Sequence, residues 1–196
     1  MLKFGKKVNY RPLLFSLFVS LLIGLTFGLN ISKSLGTEIG VIMFSLMIIG
    51  HYLFVMPIIF NYWDSDKINI HYSDIQKYHL RLLTIFLPKL VPIRVIDKQQ
   101  ITKITLIGLP QKNPNLSSEL VMTEEGGFMY NILLMINEPV KIRITLRDHT
   151  IIDLDLSRDY VDRPHETIGK LKLFLRDFDY GIVQLSTDTK QALKNF

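Results

Sequence analysis

The sequence has no cysteine and a single tryptophan, Trp63. Without cysteine there is no disulfide framework and no thiolate ligand for a metal, and the absence fits a reducing compartment without requiring one. Catalytic spacing is missing too. The histidines at 51, 71, 79, 149 and 165 form no HxxxH or HExxH pair, so no helix-borne metal site is written in the chain. Asp153, Asp155 and Asp159 punctuate DLDLSRD, but that stretch lacks the central glycine and closing glutamate of a calcium loop. There is no G-x-G-x-x-G, no phosphate loop and no nucleophile elbow, and Gly126-Gly127 reads as a turn. The expectation is a non-enzymatic protein with no cofactor and no metal.

What the chain has instead is long stretches without charge. Twenty-one uncharged residues separate Arg11 from Lys33, and 25 separate Glu38 from Asp64, with His51 and tyrosines as their only ionisable groups. A hydrocarbon layer of about 30 Å is crossed by roughly 20 helical residues, so each run is long enough to span. Two core helices of a globular protein are the rival reading, but such helices are seldom so long and unbroken. Lys3, Lys6, Lys7 and Arg11 precede the first run, whereas residues 61–196 carry 18 basic against 17 acidic groups. The net charge of +5 is therefore an N-terminal property. A nearly neutral bulk is a poor match for nucleic acid, which needs basic residues clustered on the folded domain.

Positive charge beside the first span marks the cytoplasmic side. The 31–38 link then lies outside, and the expected protein is a two-pass bacterial membrane protein with both termini cytoplasmic. A cleaved signal peptide fits less well, since the run is long for one and LNISKSLG is a poor cleavage site. Helix one is expected over 13–29, after Pro12, and helix two over 39–62. Gly24 and Gly28 form a small-xxx-small pair whose natural partner is helix two, homo-oligomerisation being the competing use. Lys6, Lys7, Arg11, Trp63 and Lys89 are expected at the membrane interface, with Trp63-Asp64 as the exit. His51 and Pro57 raise the question of an ion path, yet His51 has no charged partner in helix one and two helices enclose no pore.

Beyond Asp64 the pattern changes to short β-branched runs. Strands are expected at 67–72, 80–87, 92–96, 101–108, as a pair within 119–136, at 141–146 and at 151–156, with 109–118 an exposed loop and Gly126-Gly127 a hairpin turn. The basic, apolar stretch 80–96 reads as two buried strands, or as a Leu87-Pro88-Lys89-Leu90 tip dipping into the headgroup layer. In KIRITLRDHTIIDLDL, polar faces match only across a three-residue loop, read as Asp148-His149-Thr150, which sets Arg143 opposite Asp155 and Thr145 opposite Asp153. After Asp162, residues Ile168, Leu171, Phe174, Leu175 and Phe178 recur at helical spacing, with Gly181 near the helix end. The tail reads as polar and loosely held. The expected division is 1–63 for the N-terminus and membrane hairpin, 64–181 for the α+β domain and 182–196 for the tail.

Phe4-Gly5-Lys6 leads through Pro12 into a short-looped hairpin, and Phe178-Asp179-Tyr180-Gly181-Ile182-Val183-Gln184-Leu185 is followed by Thr187-Asp188. On these residues the chain resembles the EbsA-like family of small membrane proteins from low-GC Gram-positive bacteria. Its strands followed by one amphipathic helix also resemble membrane-attached bacterial PH-like modules. The resemblance implies an association with cell-surface properties and brings no active site; the pore-forming label that some members carry would need an oligomer. The expectation is a membrane-anchored α+β protein, an antiparallel PH-like domain behind a two-helix transmembrane hairpin. It would serve as a binding or scaffold module at the inner leaflet, recruiting or regulating cell-envelope proteins, with membrane lipid and a protein as partners. The alternatives are an oligomeric channel or transporter component, using Gly24, Gly28, His51 and Pro57, and an accessory subunit of a larger membrane complex.

Overall fold

In a computed structural model of the protein, residues 1–75, 77–109 and 124–195 are described, with side chains excepted at 124–130 and 195. They form an α+β structure with two long apolar helical rods near the N-terminus and two four-stranded sheets. The chain divides into two compact units that interleave along the sequence. One comprises Met1–Gly5, Tyr62–Tyr72 and Arg94–Phe196, and the other Lys6–Asn61 and Ser73–Ile93.

The second unit is built on the rods. α1 (Arg11–Asn30) starts with Pro12 in its first turn, where a missing N–H costs nothing, and runs without a charge until it ends. Only Ile31 and Ser32 intervene before α2 (Lys33–Ser45), because the Ser32 hydroxyl accepts the Leu35 N–H at 3.3 Å and starts the helix at once. The expected eight-residue link is thus mostly helix. α2 continues through a π-helical turn (Leu46–Tyr52) into α3 (Leu53–Ile59), which contains Pro57. Each rod has the length and composition to cross a membrane, and only 17% and 11% of their most apolar stretches are buried.

Residues 80–87 form no strand. Residues 80–86 belong to α4 (Tyr78–Phe86), which Leu87 caps, and a 3-10 turn follows over Pro88–Leu90. Leucine and arginine favour helix, the Thr84 hydroxyl turns back to the Leu80 carbonyl at 2.6 Å, and Pro88 stops the run. Ile85 of α4 is fully buried and joins Ile48, Met56 and Phe60 in a small core with Leu82, Leu13, Phe44 and Tyr52 around it.

The other unit holds the sheets. β1 (Leu2–Gly5), β2 (Tyr62–Ser65), β3 (Asn69–Ser73) and β4 (Ile93–Asp97) lie in that order, with β1 antiparallel to β2 and β2 to β3. The second sheet runs β7 (Ile151–Asp155), β6 (Lys141–Leu146), β5 (Ile101–Ile107), β8 (Val183–Gln184). Its β5–β6 and β6–β7 pairs are antiparallel, and β8 joins β5 in parallel. The three-residue loop between β6 and β7 is present but sits one position earlier, at Arg147-Asp148-His149. Arg143 consequently faces Asp153 and Lys141 faces Asp155. His149 takes the left-handed conformation, φ +63°, that closes so tight a turn. Gly108 is needed at the end of β5: its φ is +85°, and a Cβ there would fall 2.3 Å from the Pro139 carbonyl oxygen.

Three further helices differ from expectation. Residues 124–137 form α5 (Glu124–Asn137) in place of a strand pair and a Gly126-Gly127 turn. Its NILLMI segment buries Ile132 and Met135, three apart, and leaves Leu133 and Ile136 outside, a helical period. α6 (Ser157–Asp162) precedes the expected amphipathic helix, α7 (Pro164–Leu175), which buries Ile168, Leu171 and Phe174 and stops well before Gly181. The tail is α8 (Thr187–Asn195), with Leu193 in the main core and the Ser186 hydroxyl taking the Thr189 N–H at 3.2 Å. Of the expected 109–118 loop, only the buried Leu109 is among the described residues.

Aromatic stacking centres the core of this unit. Phe4 lies flat on Trp63 at 4.1 Å, Trp63 meets the edge of Phe174 at 5.3 Å, and Phe174 meets Phe178 at 5.1 Å. Trp63 is fully buried and its indole N–H donates to the Asp155 carbonyl at 3.1 Å. The assignment of Trp63 to a membrane interface is therefore corrected. An amphipathic ring with one N–H serves equally well in a core that offers one acceptor, and the sequence flank alone does not distinguish the two.

Candidate functional site

On α1 the residues turned inward are small: Pro12, Ser16 and Ser20 are buried, and Gly24 and Gly28 extend the same four-residue ridge. The facing ridge on the second rod is Gly36, Gly40, Phe44, Ile48. Backbones meet at the glycines. A Cβ on Gly36 would come within 2.5 Å of the Gly24 oxygen and the Gly28 Cα, and one on Gly24 within 2.9 Å of the Gly36 oxygen. Gly28 is looser, its nearest neighbour being Gly36 Cα at 3.8 Å. The pair expected from sequence, Gly24 and Gly28, thus packs within the hairpin, and Gly36 and Gly40 are the partners that reading missed. Their spacing repeats that of Gly24 and Gly28, but Gly36 fell in the expected 31–38 link and only Gly40 in the expected second helix, which split the pair.

Most large side chains lie off this ridge. Leu14, Phe15, Leu17, Phe18, Leu21 and Leu22 on α1, and Val41, Ile42 and Leu46 on the second rod, are all exposed. The inward hydroxyls need no outside partner: Ser16 donates to the Pro12 carbonyl and Ser20 to the Leu17 carbonyl, each at 2.9 Å. A groove of about 630 Å³ follows the seam, walled by Leu17, Leu21, Leu25 and Phe44, with Lys33 and Thr37 at one end. His51 and Pro57, which the channel alternative would use, do not border it. His51 sits exposed on the π-helical turn, edge-on to Tyr52 at 5.0 Å.

Pro57 has a different consequence. It has no N–H to offer the carbonyl four residues earlier, which leaves the Leu53 oxygen without its helical donor. Arg81 fills that place. Its guanidinium donates to the Leu53 carbonyl at 3.2 Å and, through Nε, to the Ile75 carbonyl at 3.0 Å, and it lies 4.9 Å over the Tyr78 ring. Proline at 57 and an arginine in α4 are separated in sequence, so only the fold shows that one answers the other. The ends of the rods are joined as well: the Lys6 N–H donates to the Asn61 carbonyl at 3.2 Å.

In the sheet unit, one polar group is buried between two partners. Asp64 on β2 accepts from the Tyr62 hydroxyl at 2.6 Å and contacts His71 Nδ1 at 2.9 Å across the β2–β3 pair. Burial, with Asp64 beside it, pushes the Tyr62 hydroxyl up to about 12, so it remains a proton donor to that carboxylate at ordinary pH. On the second sheet, Asp153 takes two bonds from Arg143, at 2.8 and 3.0 Å, and one from Lys141 at 2.7 Å. These cations hold its carboxyl below the usual aspartate range. Among the described residues no group of three or more metal-ligating side chains occurs.

Of the other residues expected at an interface, Lys7 and Arg11 are exposed at the start of α1, Lys6 is half-buried, and Lys89 is exposed in the 3-10 turn after α4. No family model, no curated protein and no solved structure matches the chain.

Proposed function

We propose that the chain is a membrane-anchored, non-enzymatic binding or scaffold module, held at the inner leaflet of a bacterial cell membrane and recruiting or regulating cell-envelope proteins. The observation that carries this reading is the inside-out hairpin. Small residues meet along its seam, while leucines and phenylalanines face outward on nearly every turn of α1. Burying one such side chain is worth about 1.5–3 kcal/mol, and a contiguous row of exposed leucines and phenylalanines marks an interaction or membrane surface. In hydrocarbon the same arrangement is the favourable one, because close backbone packing, not burial of large residues, holds spans together.

The joined ends support placing both termini on one side. Gly5 pairs with Tyr62 and the Lys6 N–H reaches Asn61, so a hairpin that crosses a bilayer leaves and returns at one point. Lys3, Lys6, Lys7 and Arg11 assign that side to the cytoplasm by the positive-inside rule. The EbsA-like and PH-like resemblances point toward a tethered module rather than a catalyst, although helices between the strands and the parallel β8 depart from strands followed by a single helix. Tethering raises the local concentration of the sheet unit at the surface, so a modest affinity for its protein partner is enough.

The test uses the absence of native cysteine. Single cysteines at Ser34 and at Ser186 are introduced, and intact cells are treated with a membrane-impermeant thiol reagent. The reading expects labelling at position 34 and none at 186, a chain that stays with membranes through alkaline carbonate, and a specific protein that copurifies in mild detergent. A chain found in the aqueous fraction, or labelling at 186 from outside, overturns it.

A further inference from the structure

The stretch after β3 has a composition of its own. From Ile75 to Ile96 there is no aspartate or glutamate, while Lys77, His79, Arg81, Lys89 and Arg94 fall within it. The part belonging to the rod unit, up to Ile93, is amphipathic in three dimensions. Thr84 and Ile85 are buried, Ile85 against the second rod, whereas Tyr78, Phe86, Leu87, Leu90 and Ile93 are exposed, Leu90 to 60%. Lys77 and Lys89 are exposed beside them and have no ion pair among the described residues.

The position of this face along the rod is fixed by two contacts. Arg81 holds the Leu53 carbonyl, and Ile85 packs with Ile48, Met56 and Phe60. Leu53 lies six residues before the end of α3, or roughly 9 Å at 1.5 Å per residue. Interfacial amphipathic helices rest about 5–10 Å into the boundary between headgroups and acyl chains. On the spanning reading, with α3 ending at the headgroup boundary, the Arg81 contact sets α4 at about the depth where such helices rest.

We propose that residues 77–93 form an interfacial wedge that binds anionic phospholipid in the leaflet beside the end of the second span. Leu87, Leu90 and Ile93 enter the acyl boundary, and Lys77 and Lys89 meet the headgroup phosphates. Two observations favour lipid over a protein as the occupant: the face is continuous with an apolar span, and its only charges are positive, which complements an anionic surface. The proposal rests on the membrane-spanning reading and adds a lipid class to it. Arg81 is the positioning residue, since it ties the wedge to the rod through the carbonyl that Pro57 leaves open.

The experiment uses the full chain in nanodiscs of phosphatidylcholine alone or mixed with phosphatidylglycerol. Leu90→Cys carries an environment-sensitive fluorophore, Leu21→Cys is the control on α1, and spin-labelled lipid is the quencher. The expected result is quenching at position 90 at least twofold stronger in the anionic discs. That difference disappears in Lys77→Gln/Lys89→Gln, with quenching at 21 the same in both compositions. Strong quenching at 21 with none at 90, or equal quenching at 90 in both lipids, overturns the wedge alone. Failure to quench at 21 overturns the spanning reading beneath it. A probe at 90 that is shielded from both lipid and aqueous quenchers in native membrane vesicles places a protein on this face and overturns the lipid assignment.

Discussion

At the scale of single residues, the seam of the hairpin separates glycines that look equivalent in sequence. Gly36→Ala drives a methyl into the α1 backbone at Gly24 and Gly28, so overpacking of about 1–3 kcal/mol is expected, read as a lowered Tm in detergent. Gly28→Ala has room and should leave Tm within a degree or two. Equal effects would show that the rods do not meet at Gly36. Arg81→Met removes the donor that Pro57 makes necessary, and the stranded Leu53 carbonyl should cost about 1–3 kcal/mol. Adding Pro57→Ala, which restores a helical N–H, should recover part of that loss; absence of any recovery would sink the link between the two residues. Sequence spacing reached Gly24 and Gly28 because a four-residue repeat in an uncharged run is visible directly. It did not reach Arg81, since a carbonyl orphaned at Leu53 becomes a constraint only when another segment is folded against it.

At the scale of elements, alternation was the dependable signal and register the weak one. Ile142 and Ile144 opposite Ile152 and Leu154 fix which faces meet, and this parity requires an odd loop. Parity is preserved by any shift of two, however, and the choice of Asp153 over Asp155 as the partner of Arg143 depends on where the tight turn closes. The register gives these neighbouring aspartates opposite pH behaviour. Asp153 is held low, first by Arg143, so its stabilising contribution is present above the ordinary aspartate value and is lost as pH falls through the lowered one. Burial raises Asp155 despite its bond from the Ser157 N–H, so its contribution is present below the ordinary value and is lost as pH rises through the raised one. Denaturation curves at pH 3 and pH 7 check both. Asp153→Asn should lose more stability at pH 7 than at pH 3, and Asp155→Asn should fare better at pH 7 than at pH 3. Parallel behaviour of the two variants would contradict the observed register. The segments misread as strands are α4 and the described part of the 119–136 stretch, where leucine, isoleucine and methionine cluster at 80–87 and 132–136. Such short apolar runs fit either period until packing selects one.

At the scale of the whole molecule, the two uncharged runs were plain in the sequence because length and absence of charge are not local properties. How the chain is apportioned was less plain. A cut near residue 63 overlooks residues 1–5, which pair with β2, and a polar tail overlooks Leu193, which reaches the core. Deleting residues 2–5 should therefore weaken the sheet unit, exposing Trp63 and shifting its fluorescence to the red, while leaving the chain in the membrane fraction. Unchanged fluorescence would mean that β1 does not cover Trp63. The pairing of β1 with β2 also bears on biosynthesis. The first strand is translated long before its neighbour, and every residue of both rods must leave the ribosome before Trp63 is available to stack on Phe4. Closure of the sheet by β1 is thus a late event, and until β2 emerges Leu2 and Phe4 have no strand partner to cover.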